Sequence, residues 1–289
     1  MNDDRGLLMN VAYRLLGSVT EAEDAVQEAY ARWYALTDSG RGEILSPTGW
    51  LVTVTTRICL DVLGSARARR EQYVGEWLPE PVPAQAQWST ASPPVDPADR
   101  VTLDDSLSMA LLVVLEAMTP AERVAFVLHD VFKYSFAEVG EIVGRSPEAS
   151  RQLASSARRR VRDSRSSKVS TAEHARVVAE FKSALDTGDL SALIRLLDPS
   201  ATVIADGGGI VAASLERIEG AETIARYFLA LHELQPDLNF QLTTVNGRVG
   251  LVGQDAAGTA LAVASVAITQ GLIDQIWVIR NPEKLAGWA

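Results

Sequence analysis

The sequence predicts a multidomain chain: two all-α regions, the second a helix-turn-helix, followed by an α+β domain. Three observations carry that expectation. Helix caps and 3.6-residue apolar periodicity recur through residues 1–75 and 100–168. The intervening residues 76–99 contain Pro79, Pro81, Pro83, Pro93, Pro94 and Pro97, half of the chain's 12 prolines. Proline removes amide donors and fixes φ, so this stretch is expected as an extended, acidic linker. Residues 169–289 then turn to strand-like alternation around the hairpin pair Asn246-Gly247. A length of 289 residues suits this division into domains at 1–75, 100–168 and 169–289, with the linker at 76–99.

Charge and cysteine usage narrow the function. Against 27 Lys and Arg stand 37 Asp and Glu, a net charge of −10, which opposes a simple basic nucleic-acid binder. The positive charge is local, however. Arg67, Arg69 and Arg70 form one knot, and Arg151, Arg158, Arg159, Arg160, Arg162, Arg165 and Lys168 a second. Screening confines attraction to about 8–10 Å, so two such patches can bind phosphate on an acidic chain. The single cysteine, Cys59, closes no internal disulfide and offers no thiolate cluster for zinc or iron–sulfur; no metal and no cofactor are expected. The opening Met-Asn-Asp-Asp-Arg is not a secretory signal, and no apolar run approaches the roughly 18 residues of a membrane span. A cytoplasmic protein without membrane association is expected.

In the first region Thr20 and Glu23 have capping-box spacing. Ala22, Ala25, Val26, Ala29, Tyr30 and Trp33 follow on one helical face, with Asp24, Glu28 and Arg32 opposite. Ser46-Pro47 reads as N-cap and first turn of another helix, with Leu51, Val54, Ile58 and Val62 in one stripe and Trp50, Thr53, Thr56 and Arg57 on a second face. The run Val52–Thr55 also alternates as a strand would. Trp50 reads either as a core residue or as a face on which an exposed base stacks while arginines follow the backbone.

The second region carries the sharpest pattern. Leu107, Leu111, Val114 and Leu115 face inward from an amphipathic helix over Asp104–Ala117. Thr119-Pro120-Ala121-Glu122 and Ser135-Phe136-Ala137-Glu138 are capping boxes, Gly144 is a left-handed stop, and Ser146-Pro147 restarts a helix. Two helices joined by so short a glycine turn describe a helix-turn-helix. On its second helix Ala149, Leu153, Ala157 and Val161 are expected inward. Arg151, Gln152, Ser155, Arg158, Arg159 and Arg162 form a face suited to the major groove. His129 reads as structural.

Taken together, Glu21–Tyr30, Trp50–Asp61 and the helix-turn-helix over Phe136–Arg162 resemble the extracytoplasmic-function (ECF) sigma factors of bacterial RNA polymerase. The resemblance implies a promoter-specificity subunit whose partners are core RNA polymerase, through its β and β′ subunits, and promoter DNA, and it implies no enzyme. It implies sigma domain 2 at 1–75, with polymerase contacts at Asp24, Gln27, Glu28, Arg32 and Trp33 and −10 element contacts at Trp50, Thr53, Thr56, Arg57, Arg67, Arg69 and Arg70. Sigma domain 4, at 100–168, would read the −35 element. The acidic linker would thread toward the polymerase active centre.

Residues 169–289 read as a helix over His174–Leu185, a second over Leu190–Leu197 capped by Asp189, and a strand at Ala201–Ala205. A helix at Ala221–Leu234 precedes strands at Leu238–Val245, Val249–Val252, Thr259–Thr269 and Leu272–Arg280. Helices followed by an antiparallel sheet resemble the SnoaL-like, nuclear-transport-factor-like cone. A narrower likeness is to ECF sigma factors of the sigma-J type, which bear such an extension. It rests on Trp77-Leu78-Pro79-Glu80-Pro81, Asp206-Gly207-Gly208-Gly209 and Asn281-Pro282-Glu283-Lys284-Leu285. It implies that these motifs are regulatory interdomain residues of a sigma factor controlled in cis. Ile210 stands where that group often has a basic residue. Two alternatives remain: a one-component sensor with a small-molecule ligand in the cone, and a cyclase- or isomerase-like enzyme domain with Asp206 as base and Tyr227 or His232 as helpers.

Overall fold

The computed structural model describes residues 4–70, 73–84, 88, 107–164, 169–211 and 216–288, without side chains over 66–70. The chain divides into two units. One comprises residues 1–72, 88–107 and 111–164, the other 73–87, 108–110 and 165–289. Arg67, Arg69 and Arg70 fall among the residues without described side chains.

The first unit is helical. It contains α1 (Asp4–Leu16), α2 (Val19–Ala35), α3 (Asp38–Gly42) and α4 (Pro47–Arg70). After α5 (Met109–Glu116) come α6 (Pro120–Phe126), which runs on as a π-turn over Val127–Val131, α7 (Phe136–Val143) and α8 (Pro147–Ser164). In α1 every residue from Leu8 to Leu16 is buried, which makes it the centre of the unit. α2 buries Ala22, Ala25, Val26, Ala29 and Trp33, as its spacing predicts, but its cap is Ser18, whose side chain accepts from the Glu21 amide. The expected Thr20–Glu23 box is corrected accordingly: Thr20 already lies within the helix.

The alternation of Val52–Thr55 does not make a strand. Ser46 Oγ accepts from Gly49 N–H at 3.2 Å, and the helix runs on through the β-branched residues. Both predicted capping boxes, Thr119–Glu122 and Ser135–Glu138, form with both reciprocal bonds. Gly144 ends α7 at φ 70°. The inward stripe of α8 is Ser150, Ala154, Ala157 and Val161, so Ala149 and Leu153 are only half-buried. A strict every-fourth-residue stripe drifts off a 3.6-residue helix, and the alternating step of four and three stays on it.

The second unit contains α9 (Thr171–Asp186), α10 (Leu190–Leu196), β1 (Leu197–Asp206), β2 (Ile218–Glu219) and α11 (Ala221–Leu234). The strands β3 (Asn239–Val245), β4 (Arg248–Gln254), β5 (Ala260–Thr269) and β6 (Leu272–Ile279) follow. The sheet order is β2-β1-β6-β5-β4-β3, antiparallel except for the parallel pair β1–β6. That parallel pair was not foreseen, since alternation reveals a strand and not its neighbour. Val203, Ala264, Val266 and Ile276 pack with Val178, Phe181 and Ile224 in one core. The alternate positions, Asp206 beside Ile279 and Ile204 beside Trp277, belong to the other face of the sheet.

Residues 73–84, expected within or beside a free tether, are built into this second unit. Val82 N–H donates to Asn246 Oδ1 at 3.0 Å, Asn246 N–H returns to Val82 O at 2.8 Å, and Pro83 bridges Val245. The hairpin tip at Asn246-Gly247 thus also grips the proline-rich segment.

Candidate functional site

The outer face of α8 is cationic, with Arg151, Arg159, Arg160 and Arg162 exposed. Arg151, Gln152, Ser155, Arg159 and Arg162 are exposed. Two of the arginines have fixed partners: Arg158 Nε donates to Asp130 Oδ1 at 2.6 Å, and the Arg151 guanidinium lies 5.2 Å from the centre of the Phe136 ring. Nearby, His129 Nδ1 lies 2.7 Å from Tyr134 O and its ring stacks on Phe136, a structural placement. Arg158 and Arg151 are thus positioned by neighbours, while Arg159 and Arg162 extend into solvent.

On α2, Asp24, Gln27, Glu28 and Arg32 are exposed, and Arg32 Nε donates to Glu28 at 2.8 Å. Trp33 is only 6% exposed and packs its ring on Trp50 with centroids 5.2 Å apart. On α4, the Thr53 hydroxyl donates back to Gly49 O, and Arg57 Nη2 donates to Glu141 O at 2.9 Å. Thr56 is fully buried, with no hydrogen-bond partner for its hydroxyl.

In the second unit three stretches distant in sequence meet at one carboxylate. Asp206 is fully buried at the end of β1. Its Oδ1 accepts from the Tyr73 hydroxyl at 2.6 Å and from Gly208 N–H at 3.0 Å. Its Oδ2 accepts from Leu78 N–H at 2.9 Å and from Lys284 Nζ at 2.7 Å. The ammonium also donates to Leu78 O and lies 4.1 Å from the centre of the Trp77 ring. Asn281 Nδ2 donates to the Tyr73 oxygen at 2.9 Å, and Trp288 Nε1 donates to Pro81 O at 2.9 Å. Burial and then the Asp206 hydrogen bond raise the Tyr73 phenol above its ordinary range, so it stays a donor.

The glycines explain the turn. Gly208 has φ +66°, and a Cβ there would meet the Asn281 amide at 2.6 Å. At Gly209, φ +71°, a Cβ would meet Val74 at 2.9 Å. Side chains at either position would push out one of the two segments that close on Asp206. A carboxylate with four donors, one of them cationic, is a structural anchor and poorly suited to abstract a proton.

Family comparison accounts for both halves of the first unit. The model of Sigma-70 region 2 matches residues 2–70, and that of Sigma-70 region 4 matches residues 108–161. The chain is 39% identical to the ECF RNA polymerase sigma factor SigJ of Mycobacterium tuberculosis, over 97% of this chain and 90% of that protein. The chain belongs to the ECF sigma factors. It is also 36% identical, over 97% of its length and 92% of the relative's, to a Mycobacterium tuberculosis protein named "Probable ECF RNA polymerase sigma factor SigI". The crystal structure of SigJ superposes with a TM-score of 0.75 at 36% identity, covering 98% of this chain and 96% of that one. The two sigma regions and the α+β extension of this sigma factor are therefore an architecture it shares with that relative.

Within this sigma factor the predicted residues sort unevenly. The three C-terminal and linker motifs converge, with Leu78, Pro79, Pro81, Asp206, Asn281, Lys284 and Leu285 buried. Glu80 is half-buried, and Pro282 and Glu283 are exposed; the Glu283 amide donates to Asn281 Oδ1. Trp33 and Thr56 are corrected: both lie inside, because Trp33 packs on Trp50 and the buried surface of α4 is wider than its apolar stripe, taking in Val52, Thr55 and Cys59. A groove of about 320 Å³ lies on the α9–α10 surface beside Glu180, Thr187, Asp189 and Arg195. Sequence reasoning missed Tyr73, Asn246 and Trp288. Tyr73 and Trp288 lie within four residues of motifs it singled out, the one signal available.

Proposed function

We propose that this ECF sigma factor joins core RNA polymerase through the exposed Asp24–Arg32 face of α2 and reads the −10 element with α4. It reads the −35 element with the outer face of α8. The C-terminal unit regulates it in cis by holding the segment 73–84. The observation that carries the regulatory reading is the buried ion pair of Asp206 with Lys284, closed over the Leu78 amide. It joins the far end of the chain to the segment that follows the region-2 helix. None of the helices among the described residues is long and apolar enough to cross a membrane.

The test is transcription from a genomic promoter library with purified core polymerase, comparing the full chain with Lys284→Met and with Arg151→Ala. The full chain should direct initiation from a defined promoter set. Arg151→Ala should lose initiation at those promoters, and Lys284→Met should change transcript yield without changing the start sites. No initiation from any promoter by the full chain refutes the assignment, and unaltered yield with Lys284→Met refutes regulation through the clasp.

A further inference from the structure

In region 4 a five-residue π-turn leads to two arginines on the outer face of α8. It spans Val127–Val131 and closes with Phe132 N–H donating to Val127 O at 3.1 Å. Such turns recur at functional sites. Here the adjacent residues His129 and Asp130 each act on one arginine. The His129 ring stacks on Phe136 with centroids 3.8 Å apart and planes at 24°. A ring so close fills one face of Phe136 and leaves the other to the Arg151 guanidinium, 5.2 Å from its centre. Asp130 Oδ1 instead accepts from Arg158 Nε at 2.6 Å. Arg151 and Arg158 are seven residues apart on α8, two turns and about 10 Å along its axis.

Both rings of the stack are fixed. Phe136 is half-buried at the first position of α7, set there by the Ser135–Glu138 capping box. His129 Nδ1 lies 2.7 Å from Tyr134 O; a carbonyl only accepts, so this nitrogen carries the proton and the bond holds the ring in place. Lys133, at φ +64°, turns the chain between them. The two partners treat their arginines differently. A carboxylate takes up both the charge and the donors of a guanidinium. An aromatic face holds it by its flat side and leaves the in-plane N–H donors available. Arg151, itself exposed, therefore keeps the fork that matches O6 and N7 of guanine in the major groove. It lies near the N-terminal end of α8, the end that a recognition helix turns to base edges.

We propose that this turn divides the arginines by task, and that Phe136, backed by His129, is a positioning residue that holds Arg151 to read one guanine of the −35 element. Asp130 meanwhile withholds Arg158 from sequence-independent phosphate contact. Specificity is a difference of affinities, so lowering the phosphate contribution serves it as well as raising the base contribution. The held guanidinium also gives up less conformational freedom on meeting its base.

The inference rests on the assignment of α8 to the −35 element, and the experiment separates the two. Holoenzyme formed with the full chain is assayed for initiation at the promoter selected above, each G·C pair of the −35 element being replaced in turn by A·T. One replacement should lower initiation by the parent about tenfold. Arg151→Lys, which keeps the charge and loses the fork, should respond to that replacement by less than about twofold and to the others as the parent does. Phe136→Leu should reduce discrimination at the same position about threefold, and Phe136→Tyr, which keeps the ring, should retain it. His129→Gln keeps a donor for Tyr134 O and removes the ring behind Phe136. It decides the positioning if Phe136→Leu does not fold: weaker discrimination at that one position supports it, and parental discrimination overturns it. Phe136→Leu lowering initiation equally on every template also overturns it, since that is a loss of structure alone. No position sensitive to Arg151→Lys overturns the guanine contact. Initiation unaffected by Arg151→Ala faults the assignment of α8 itself.

Discussion

Asp206 and Lys284 illustrate how much one buried pair decides. The carboxylate is fully buried and the lysine side chain 10% exposed, so neither has water to fall back on. Removing one partner of such a pair leaves an uncompensated charge and costs about 3–5 kcal/mol, whereas removing both costs much less. Asp206→Ala and Lys284→Met should each lower the stability of the chain by about that amount in urea. The double variant should be clearly more stable than the sum of the singles implies. Strict additivity would mean that the two groups do not support one another. His174 gives a second residue-scale test. It is 3% exposed, its Nε2 lies 3.3 Å from Val266 O, and burial chiefly, with the Arg248 charge, lowers its pKa below 6.5. The unfolded chain therefore binds the proton more readily. Stability from this residue is complete above pH 6.5 and falls as pH drops through that value toward the folded pKa. His174→Gln should flatten the melting temperature between pH 6.5 and 5. An unchanged slope would place the titration elsewhere. At this scale the sequence exposes Asp206, because three glycines follow it, and hides Tyr73, because a tyrosine's partner 133 residues away leaves no local mark.

Elements were more legible than their surfaces. Caps located both helices of the helix-turn-helix, Ser135 ahead of α7 and Ser146 ahead of α8, since capping is satisfied within four residues of the chain. Which side of α4 faces inward was not legible, because helices with no continuous polar face leave that choice to their neighbours. The same limit applies to the arginines of α8. All read as one stripe facing the major groove, yet Arg158 is held by Asp130 while Arg159 is exposed. Their effects on DNA binding should differ. Arg159→Ala should reduce the salt dependence of promoter binding by about one unit of slope, the loss of one phosphate contact. Asp130→Asn should tighten binding and steepen that slope, because it releases Arg158 and removes a competing anion. Titrations of promoter DNA at several salt concentrations read both. Equal slopes for Asp130→Asn and the parent would mean that the ion pair persists on, or plays no part in, the DNA complex.

For the molecule as a whole, domain order was legible and the ownership of the linker was not. Proline content says that residues 76–99 are extended, but not against what they lie. The answer depends on Asn246, Asp206, Asn281 and Trp288, all more than 120 residues further along the chain. Those bonds make residues 73–84 a strap whose hold depends on the last nine residues. A chain ending at Arg280 keeps all six strands but loses Asn281, Lys284 and Trp288, and with them the bonds to the Tyr73 hydroxyl, Leu78 O and Pro81 O. Leu78 N–H and Tyr73 still reach Asp206, but that carboxylate is now a buried anion without a cation, which disfavours the closed strap. Local opening should rise steeply while the sheet remains folded. Chymotrypsin should therefore cut the shortened chain beside Tyr73 and Trp77 at least about tenfold faster than the full one, with far-ultraviolet circular dichroism nearly unchanged. Equal cleavage rates would show that Asn246 and the Pro83 bridge hold the strap unaided, and the terminal motif would then have no mechanical route to the helices of region 2.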